Sequence, residues 1–358
     1  MSSKHFHSLK VKDISKCTDD CAIITLDVPE SLFDIFAYKQ GQYLTLETKI
    51  NGEDVRRSYS LCSSPLDKEW KIGVKKIENG KFSSFANDTL LVGDTLDVMP
   101  PNGQFFVELN PDVQNNYIAF AAGSGITPIL SIIATHLRAE PKSTFKLFYV
   151  NKTVGSIILK EELESLKNQF MDRFEVFYFL TKQKRNIAFL NGRMDEAKLD
   201  IIFNSICDVE KVDHFFSCGP EPMILMIRDY LLGKQVDKSK IHFELFNTSG
   251  AQSQNRDELK KEFKGKIADV TILEGGKTFN FKMEQGSNNI LDEALNNSAD
   301  LPFACKGGVC ATCKAKVLEG EVNMEVHYGL EDDELENGYV LTCQCIPVSE
   351  KVVVDFDI

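Results

Sequence analysis

Up to about residue 110 the apolar positions fall in short β-rich runs, Ala22–Val28, Gln42–Lys49, Tyr59–Cys62, Lys71–Ile77 and Thr95–Met99, separated by Gly, Pro, Asn and Asp. Short strands with polar turns predict an antiparallel β-barrel. From Asn116 the grain changes. Apolar runs Tyr117–Ala122, Phe145–Val150, Phe174–Leu180, His214–Cys218 and Ile241–Phe246 alternate with helical patterns. Leu163, Leu166 and Phe170 lie at i, i+3 and i+7, and Met223, Ile227 and Tyr230 at i, i+4 and i+7. That alternation predicts a doubly wound α/β domain whose parallel sheet binds ligands at the carboxyl ends of its strands. A polar stretch from Thr248 to Lys261 is short of apolar residues and reads as a linker. The pattern therefore gives a multidomain chain: a barrel over 1–110, an α/β domain over 111–247, a linker over 248–262 and a last domain over 263–358.

At 358 residues, 43% apolar and 26% charged, the chain has the length for two or three domains and the composition of an ordinary globular protein. Its net charge of −12 is unevenly spread, because Phe263–Ile358 holds 8 Lys and Arg against 17 Asp and Glu. An acidic balance without a basic patch argues against nucleic-acid binding. The start, MSSKHFHSLKVKD, has no apolar signal core, and no run approaches a membrane span of about 18 residues. The expected place is the cytoplasm, with no membrane association. Ten cysteines would stay reduced there and call for an explanation other than disulfides.

Four of them form Cys305-x4-Cys310-x2-Cys313 and, after 29 intervening residues, Cys343. This is the plant-type [2Fe–2S] ferredoxin spacing. Gly307 and Gly308 would let the loop wrap a small inorganic core and aim N–H groups at the sulfurs. Cys343 is expected to close the coordination from a distant strand, with Cys345 a spare thiol on the same face. A structural zinc site is the alternative, although zinc sites usually show paired C-x2-C knuckles and only one occurs here. The segment resembles the C-terminal ferredoxin domain of flavin-dependent oxygenase reductases, which implies an α+β, β-grasp fold; an oxidised cluster on four thiolates would add about two negative charges to this acidic block, giving an anionic surface that could dock on a basic partner.

In the barrel, Arg56-Arg57-Ser58-Tyr59-Ser60 is followed by Val74-Lys75 and Gly80-Lys81-Phe82-Ser83-Ser84, a turn opening a predicted helix. Such a helix start presents N–H donors to a pyrophosphate. Taken singly, these residues are better explained as an edge-strand Arg, a core Tyr and a capping Ser. Together they resemble the flavin-binding barrel of the ferredoxin–NADP reductase superfamily. The resemblance implies that Arg57 pairs with the FAD pyrophosphate, Tyr59 lies against the isoalloxazine, Ser60 bonds near its N5 edge, and Val74, Lys75, Gly80, Ser83 and Ser84 complete the flavin site.

The α/β part contains Ala122-Gly123-Ser124-Gly125-Ile126-Thr127-Pro128 and Cys218-Gly219-Pro220-Glu221-Pro222-Met223, both at strand-to-helix junctions. A lone G-x-G is weak, but the pair resembles the NAD(P)H domain of the same superfamily. By that resemblance Gly123, Gly125, Thr127, Pro128, Gly219, Pro220 and Met223 hold the dinucleotide and Cys218 lies near the nicotinamide. Phe246 would cover the second flavin face, with Glu244 as polar support. Lys152, with Lys182, Lys184 and Arg185, favours the 2′-phosphate of NADPH over NADH.

Across its length, including Met324-Glu325, Asp333-Glu-Leu and Gly338-Tyr-Val-Leu, the chain resembles the reductase subunits of the bacterial phenylacetyl-CoA epoxidase family. The resemblance implies an oxidoreductase passing electrons from NADPH through FAD and a [2Fe–2S] cluster to a di-iron oxygenase, in phenylacetate breakdown. Two alternatives stand beside it: a reductase of another hydroxylase, desaturase or ring-hydroxylating dioxygenase, the last with FMN, and a non-enzymatic redox sensor.

Overall fold

Leu9 and Val11 are buried between exposed lysines, and this alternation makes His7–Thr18 the first strand, β1. The barrel continues with β2 (Cys21–Asp27), β3 (Tyr43–Ile50), β4 (Glu53–Ser60) and β5 (Trp70–Lys75), then helix α1 (Lys81–Asp88) and β6 (Thr95–Val98). These strands form one antiparallel sheet in the order β4-β3-β6-β1-β2-β5. A bridge between Leu61, just past β4, and Ile72 of β5 closes the sheet on itself. The core inside it includes Ile24, Leu44, Leu46, Ile72, Val74 and Phe82. The computed structural model describes residues 6–246 and 253–357, which divide after Leu245 into two compact units.

The rest of the first unit is the α/β part: β7 (Asn116–Ala122), α2 (Ile126–Ala139), β8 (Thr144–Asn151), α3 (Lys160–Gln169), β9 (Phe174–Leu180), α4 (Glu196–Ile201), β10 (His214–Gly219), α5 (Glu221–Gly233) and β11 (Ile241–Leu245). The five strands are parallel, in the order β11-β10-β7-β8-β9. On one face Ile118, Phe120, Phe148, Val150, Phe179 and Phe215 pack with Leu199 of α4 and Ile227 and Leu231 of α5. Helix α2 ties this sheet to the barrel. Ser131 Oγ donates to the Ser63 carbonyl at 2.6 Å, and the hydroxyls of Thr135 and Ser64 are hydrogen-bonded at 2.7 Å, all of them buried.

The second unit opens with α6 (Ser253–Glu262) and has strands β12 (Ile267–Glu274) and β13 (Lys277–Glu284), helix α7 (Ile290–Asn296), β14 (Lys314–Glu319), β15 (Val322–Met324), α8 (Asp332–Glu336), β16 (Tyr339–Leu341), β17 (Cys345–Pro347) and β18 (Lys351–Asp355). Its main sheet runs β13-β12-β18-β14-β16, with β12 and β18 parallel and the other pairs antiparallel. Ile290, Leu291 and Ala294 of α7 share the core with Val270, Ile272, Val352 and Val354 of this mixed sheet.

Two expectations change here. The stretch read as a linker is helical from Ser253 to Glu262, because Leu259 supplies an apolar anchor and its carbonyl is approached by Gly286 too closely for any Cβ. The earlier part of that stretch, and the boundary at 247, lie outside the described residues. Cys343 is not on a strand. It sits in the turn between β16 and β17, where Gln344 N–H bonds the Leu341 carbonyl at 2.8 Å and Thr342 N–H bonds the Cys313 carbonyl.

Candidate functional site

In the first unit the barrel and the α/β sheet bring together residues far apart in sequence. Ser60 ends β4 and is buried; its Oγ donates to Glu244 Oε2 on β11 at 2.9 Å. Glu244 stands in register with Cys218 of the neighbouring parallel strand β10. The low-dielectric surroundings raise the Glu244 carboxyl to about 8, and the Ser60 hydrogen bond only partly opposes this. Burial also pushes the Cys218 thiol well up, with Glu244 adding to it, so this sulfur is held as a neutral thiol. At neutral pH the cluster is thus a hydroxyl, a mostly protonated carboxyl and a thiol.

Tyr59 packs its ring on Phe82 of α1 at 5.3 Å and is half-buried, its hydroxyl raised by desolvation. Arg57 is exposed, with Nη1 donating to the Arg56 carbonyl. Val74 lies in the barrel core, while Lys75 is close to Asp20 at 3.7 Å. Helix α1 starts at Gly80 with no side-chain cap, and a Cβ there would lie 2.3 Å from Ser83 Oγ. Ser83 is buried and occupied locally: its Oγ accepts from Ile77 N–H at 3.2 Å. Ser84 is partly exposed on the same turn.

The two G-containing turns meet at the carboxyl edge of the parallel sheet. A Cβ on Gly125 would fall 2.1 Å from the Cys218 carbonyl oxygen, so the turn after β7 rests directly on the end of β10. Gly123 takes a left-handed φ of +55°, and Tyr149 of β8 donates its hydroxyl to the Gly123 carbonyl at 2.8 Å. Thr127 and Pro128 open α2 and are buried, Thr127 bonding back to Ser124 and lying against Gly73 of the barrel. On the other side Gly219, the exposed Pro220 and Met223 form the β10–α5 turn, with Met223 N–H bonding the Pro220 carbonyl. Lys152 is exposed just past β8. Phe246 follows the division between the units, so it is not among the residues the first unit brings together.

In the second unit the four cysteines pair two by two. Cys310 Sγ is 3.1 Å from Cys305 Sγ, and Cys313 is hydrogen-bonded to Cys343. The bond from Cys310 holds Cys305 down to about 6, and the bond from Cys313 lowers Cys343 likewise. Backbone N–H groups add to both: Gly307 N is 3.3 Å from Cys305 Sγ, and Gly308 N–H supports Cys343. Gly308 has φ +72°, and a Cβ on it would come 2.6 Å from the Val326 carbonyl. A loop of glycines pressing N–H donors onto sulfur fits an anionic iron–sulfur centre, and two pairs fit two irons with two thiolates each. Among the described residues no three His, Cys, Asp or Glu side chains converge on one ion position. Cys345 is buried on β17 opposite Met324 and belongs to neither pair, although Cys343 adds to the burial that pushes its thiol up.

Two further features belong to none of the motifs above. His214 Nδ1 and His242 Nε2 lie 3.0 Å apart under the β10–β11 edge, and desolvation pulls His242 down to about 4. Gln344 is fully buried beside Cys343. A glutamine between two cysteines is the one local feature that points to it.

Comparison with known proteins places all three modules. Residues 8–107 match the oxidoreductase FAD-binding domain family, 120–229 the oxidoreductase NAD-binding domain family, and 272–348 the 2Fe-2S iron-sulfur cluster binding domain family. The chain is 41% identical over 352 residues to one of the subunits of the 1,2-phenylacetyl-CoA epoxidase of Escherichia coli K12, covering 98% of each chain. It is 31% identical to the ferredoxin reductase component of the Rhodococcus rhodochrous 3-ketosteroid-9-alpha-monooxygenase, covering 97% of this chain and 96% of that one. In fold it is similar to phthalate dioxygenase reductase, at TM-score 0.59 and 24% identity over 98% of both chains. Among the described residues no helix is long and apolar enough to cross a membrane.

Proposed function

The chain belongs to the family of oxygenase reductase components that has a member in the 1,2-phenylacetyl-CoA epoxidase of Escherichia coli, and we propose that it delivers electrons from NADPH to the di-iron oxygenase of a phenylacetyl-CoA epoxidase in the cytoplasm. The coarser activity follows from the family: an NAD(P)H-dependent reductase carrying FAD and a [2Fe–2S] cluster, serving an oxygenase. When bound, NAD(P)H supplies two electrons as hydride, the flavin divides them, and the cluster accepts them singly.

The observation that carries the reading is the meeting of Ser60, Glu244 and Cys218 where the barrel joins the parallel sheet. Ser60 holds Glu244 in place, and the carboxyl keeps its proton at neutral pH, so no charge is buried at that edge. Cys218, as a thiol, adds none. Tyr59 supplies an aromatic face, and Arg57 an exposed cation for a phosphate. The Gly80 turn offers backbone donors at a helix start, whereas the Ser83 hydroxyl shapes that turn. Gly123, Gly219, Pro220 and Met223 are proposed to receive the dinucleotide at the two turns, while Gly125 lets those turns pack together and the buried Thr127 and Pro128 fix the start of α2. Lys152, with Lys182, Lys184 and Arg185, supplies positive charge for a 2′-phosphate and supports NADPH as the donor. Cys305 with Cys310, and Cys313 with Cys343, each hold one iron. Phe246 is proposed as the cover of the second flavin face. The working modules are the flavin domain to residue 110, the nicotinamide domain from 111 to 247 and the ferredoxin domain from 263, in line with the family matches.

Reconstitution tests this. Purified protein, a di-iron epoxidase component, phenylacetyl-CoA and NADPH should give substrate-dependent NADPH consumption, with NADH at least tenfold less efficient. NADPH-driven cytochrome c reduction without any coupled epoxidation would retain the reductase and remove the proposed partner.

A further inference from the structure

Gln344 occupies the turn between β16 and β17 and has no solvent exposure. Its Nε2 donates to the Lys306 carbonyl at 3.0 Å and to the Cys343 carbonyl at 3.1 Å, and it lies 3.7 Å from Cys343 Sγ. A carboxamide nitrogen has two protons. One serves Lys306, in the loop between Cys305 and Cys310; the other is shared between the oxygen and the sulfur of Cys343. The loop is shaped to admit this side chain. Lys306 has φ +52°, and a Cβ on Gly308 would sit 2.9 Å from Gln344 Cγ. The Lys306 side chain is itself anchored by Asp292 at 2.6 Å and lies over the Phe303 ring.

We propose that Gln344 is a positioning residue of the [2Fe–2S] centre, tying Cys343 to the Cys305–Cys313 loop and setting the reduction potential through its donor to the Cys343 sulfur. Two physical points support it. A buried carboxamide is costly unless its donors are used, and an apolar side chain of equal volume would fill the same space without that cost. Cys343 is the ligand separated from the others by 29 residues, so its distance from the loop has to be set by a tertiary contact. Reduction adds a negative charge, so a donor dipole aimed at sulfur favours the reduced state and raises the potential.

This inference rests on the iron–sulfur reading above, and its test separates the two. The Gln344→Met holoprotein keeps length and burial but has no donor. With iron content and visible spectrum as in the wild type, its ratio of reduced to oxidised cluster at a fixed potential is expected to fall about tenfold, a midpoint lower by about 59 mV. A midpoint that does not move, with the cluster fully assembled, overturns the inference. If Gln344→Met fails to hold the cluster, the wild-type holoprotein decides. With glutamine labelled 15N only in the side chain, pulsed EPR of the reduced cluster should detect a 15N coupling, and its absence overturns the proposal. A wild-type protein without a [2Fe–2S] spectrum overturns the cluster reading itself, whereas a normal spectrum with an unmoved potential overturns this inference alone.

Discussion

Ser60 Oγ lies 2.9 Å from Glu244 Oε2, joining the last residue of a barrel strand to the last strand of the nucleotide sheet across 184 positions of sequence. Removing the hydroxyl leaves a buried carboxyl short of a partner, a loss of about 1–3 kcal/mol. Because the same hydroxyl is also expected at the N5 edge of the flavin, Ser60→Ala should slow flavin reduction by NADPH about 10- to 100-fold in anaerobic stopped-flow, with little change in NADPH affinity. A rate within twofold of the wild type would remove Ser60 from the hydride-transfer site.

The raised Glu244 carboxyl gives a pH dependence of known sign. Its value of about 8 lies above the ordinary 4.5, so the fold favours the protonated form, and stability is lost as pH climbs from about 4.5 to 8. His242 acts on the other side. Its value of about 4 lies below the ordinary 6.5, so stability is lost as pH falls through that interval. Between pH 5 and 8 the Tm of Glu244→Gln should decline less than that of the wild type. Each 1 kcal/mol corresponds to about 2–4 °C in a domain of this size. Parallel Tm curves for the two proteins would mean that Glu244 titrates normally.

This pair also marks what could be read from the sequence and what could not. The parallel strands were legible because Tyr117–Ala122 and His214–Cys218 are buried on both faces and so run apolar without interruption. Strand β1 was not, because Lys10, Lys12 and Asp13 interrupt it, so that Leu9 and Val11 are buried and Ile14 only partly so. The cysteine spacing announced the cluster, but not that Cys343 lies in a turn, since that turn is held by bonds to Leu341 and Cys313. A family resemblance points to Ser60, Glu244 and Cys218 singly. Their contact is tertiary and leaves no trace in local pattern. The hydroxyl of Ser83 likewise could not be known to be taken up by Ile77 N–H.

Cys310 tests the order of electron flow. Cys310→Ser takes away one thiolate of the Cys305–Cys310 pair. The protein should lose its cluster absorbance and at least 90% of its electron delivery to the oxygenase, while NADPH still reduces the flavin at close to the wild-type rate. Undiminished delivery by a protein without the cluster would take the cluster out of the path.

Gly125 tests the dinucleotide turn. Its missing Cβ would clash with backbone atoms, the Cys218 carbonyl at 2.1 Å and Gly219 N at 2.9 Å, which cannot rotate away as a side chain can. Gly125→Ala should push the β7 and β10 turns apart, weaken NADPH binding at least tenfold and destabilise the protein by about 1–3 kcal/mol. Gly155 is the control, because a methyl group there would have nothing within 4 Å and its φ is not left-handed. Gly155→Ala should stay within about 0.5 kcal/mol of the wild type. Equal effects at the two positions would show that the close approach at Gly125 does not matter.

The ferredoxin segment carries most of the acidity, 17 Asp and Glu against 8 Lys and Arg from Phe263 onward. Some of it is neutralised locally, as where Lys314 pairs with Glu334 and Lys306 with Asp292. Asp332, Asp333 and Glu336 lie along α8, in the stretch after the cluster loop. Surface charges attract an oppositely charged partner over roughly a Debye length, about 10 Å at 0.1 M salt and 3 Å at 1 M. Steering of this kind acts on association rate more than on the lifetime of the complex. Electron delivery to the oxygenase at limiting concentration should thus fall at least tenfold between 0.05 and 0.5 M NaCl, while NADPH reduction of the flavin changes much less. Asp332→Asn/Asp333→Asn should flatten that salt dependence without altering the cluster spectrum. A delivery rate that is insensitive to salt would mean that the acidic segment does not face the partner.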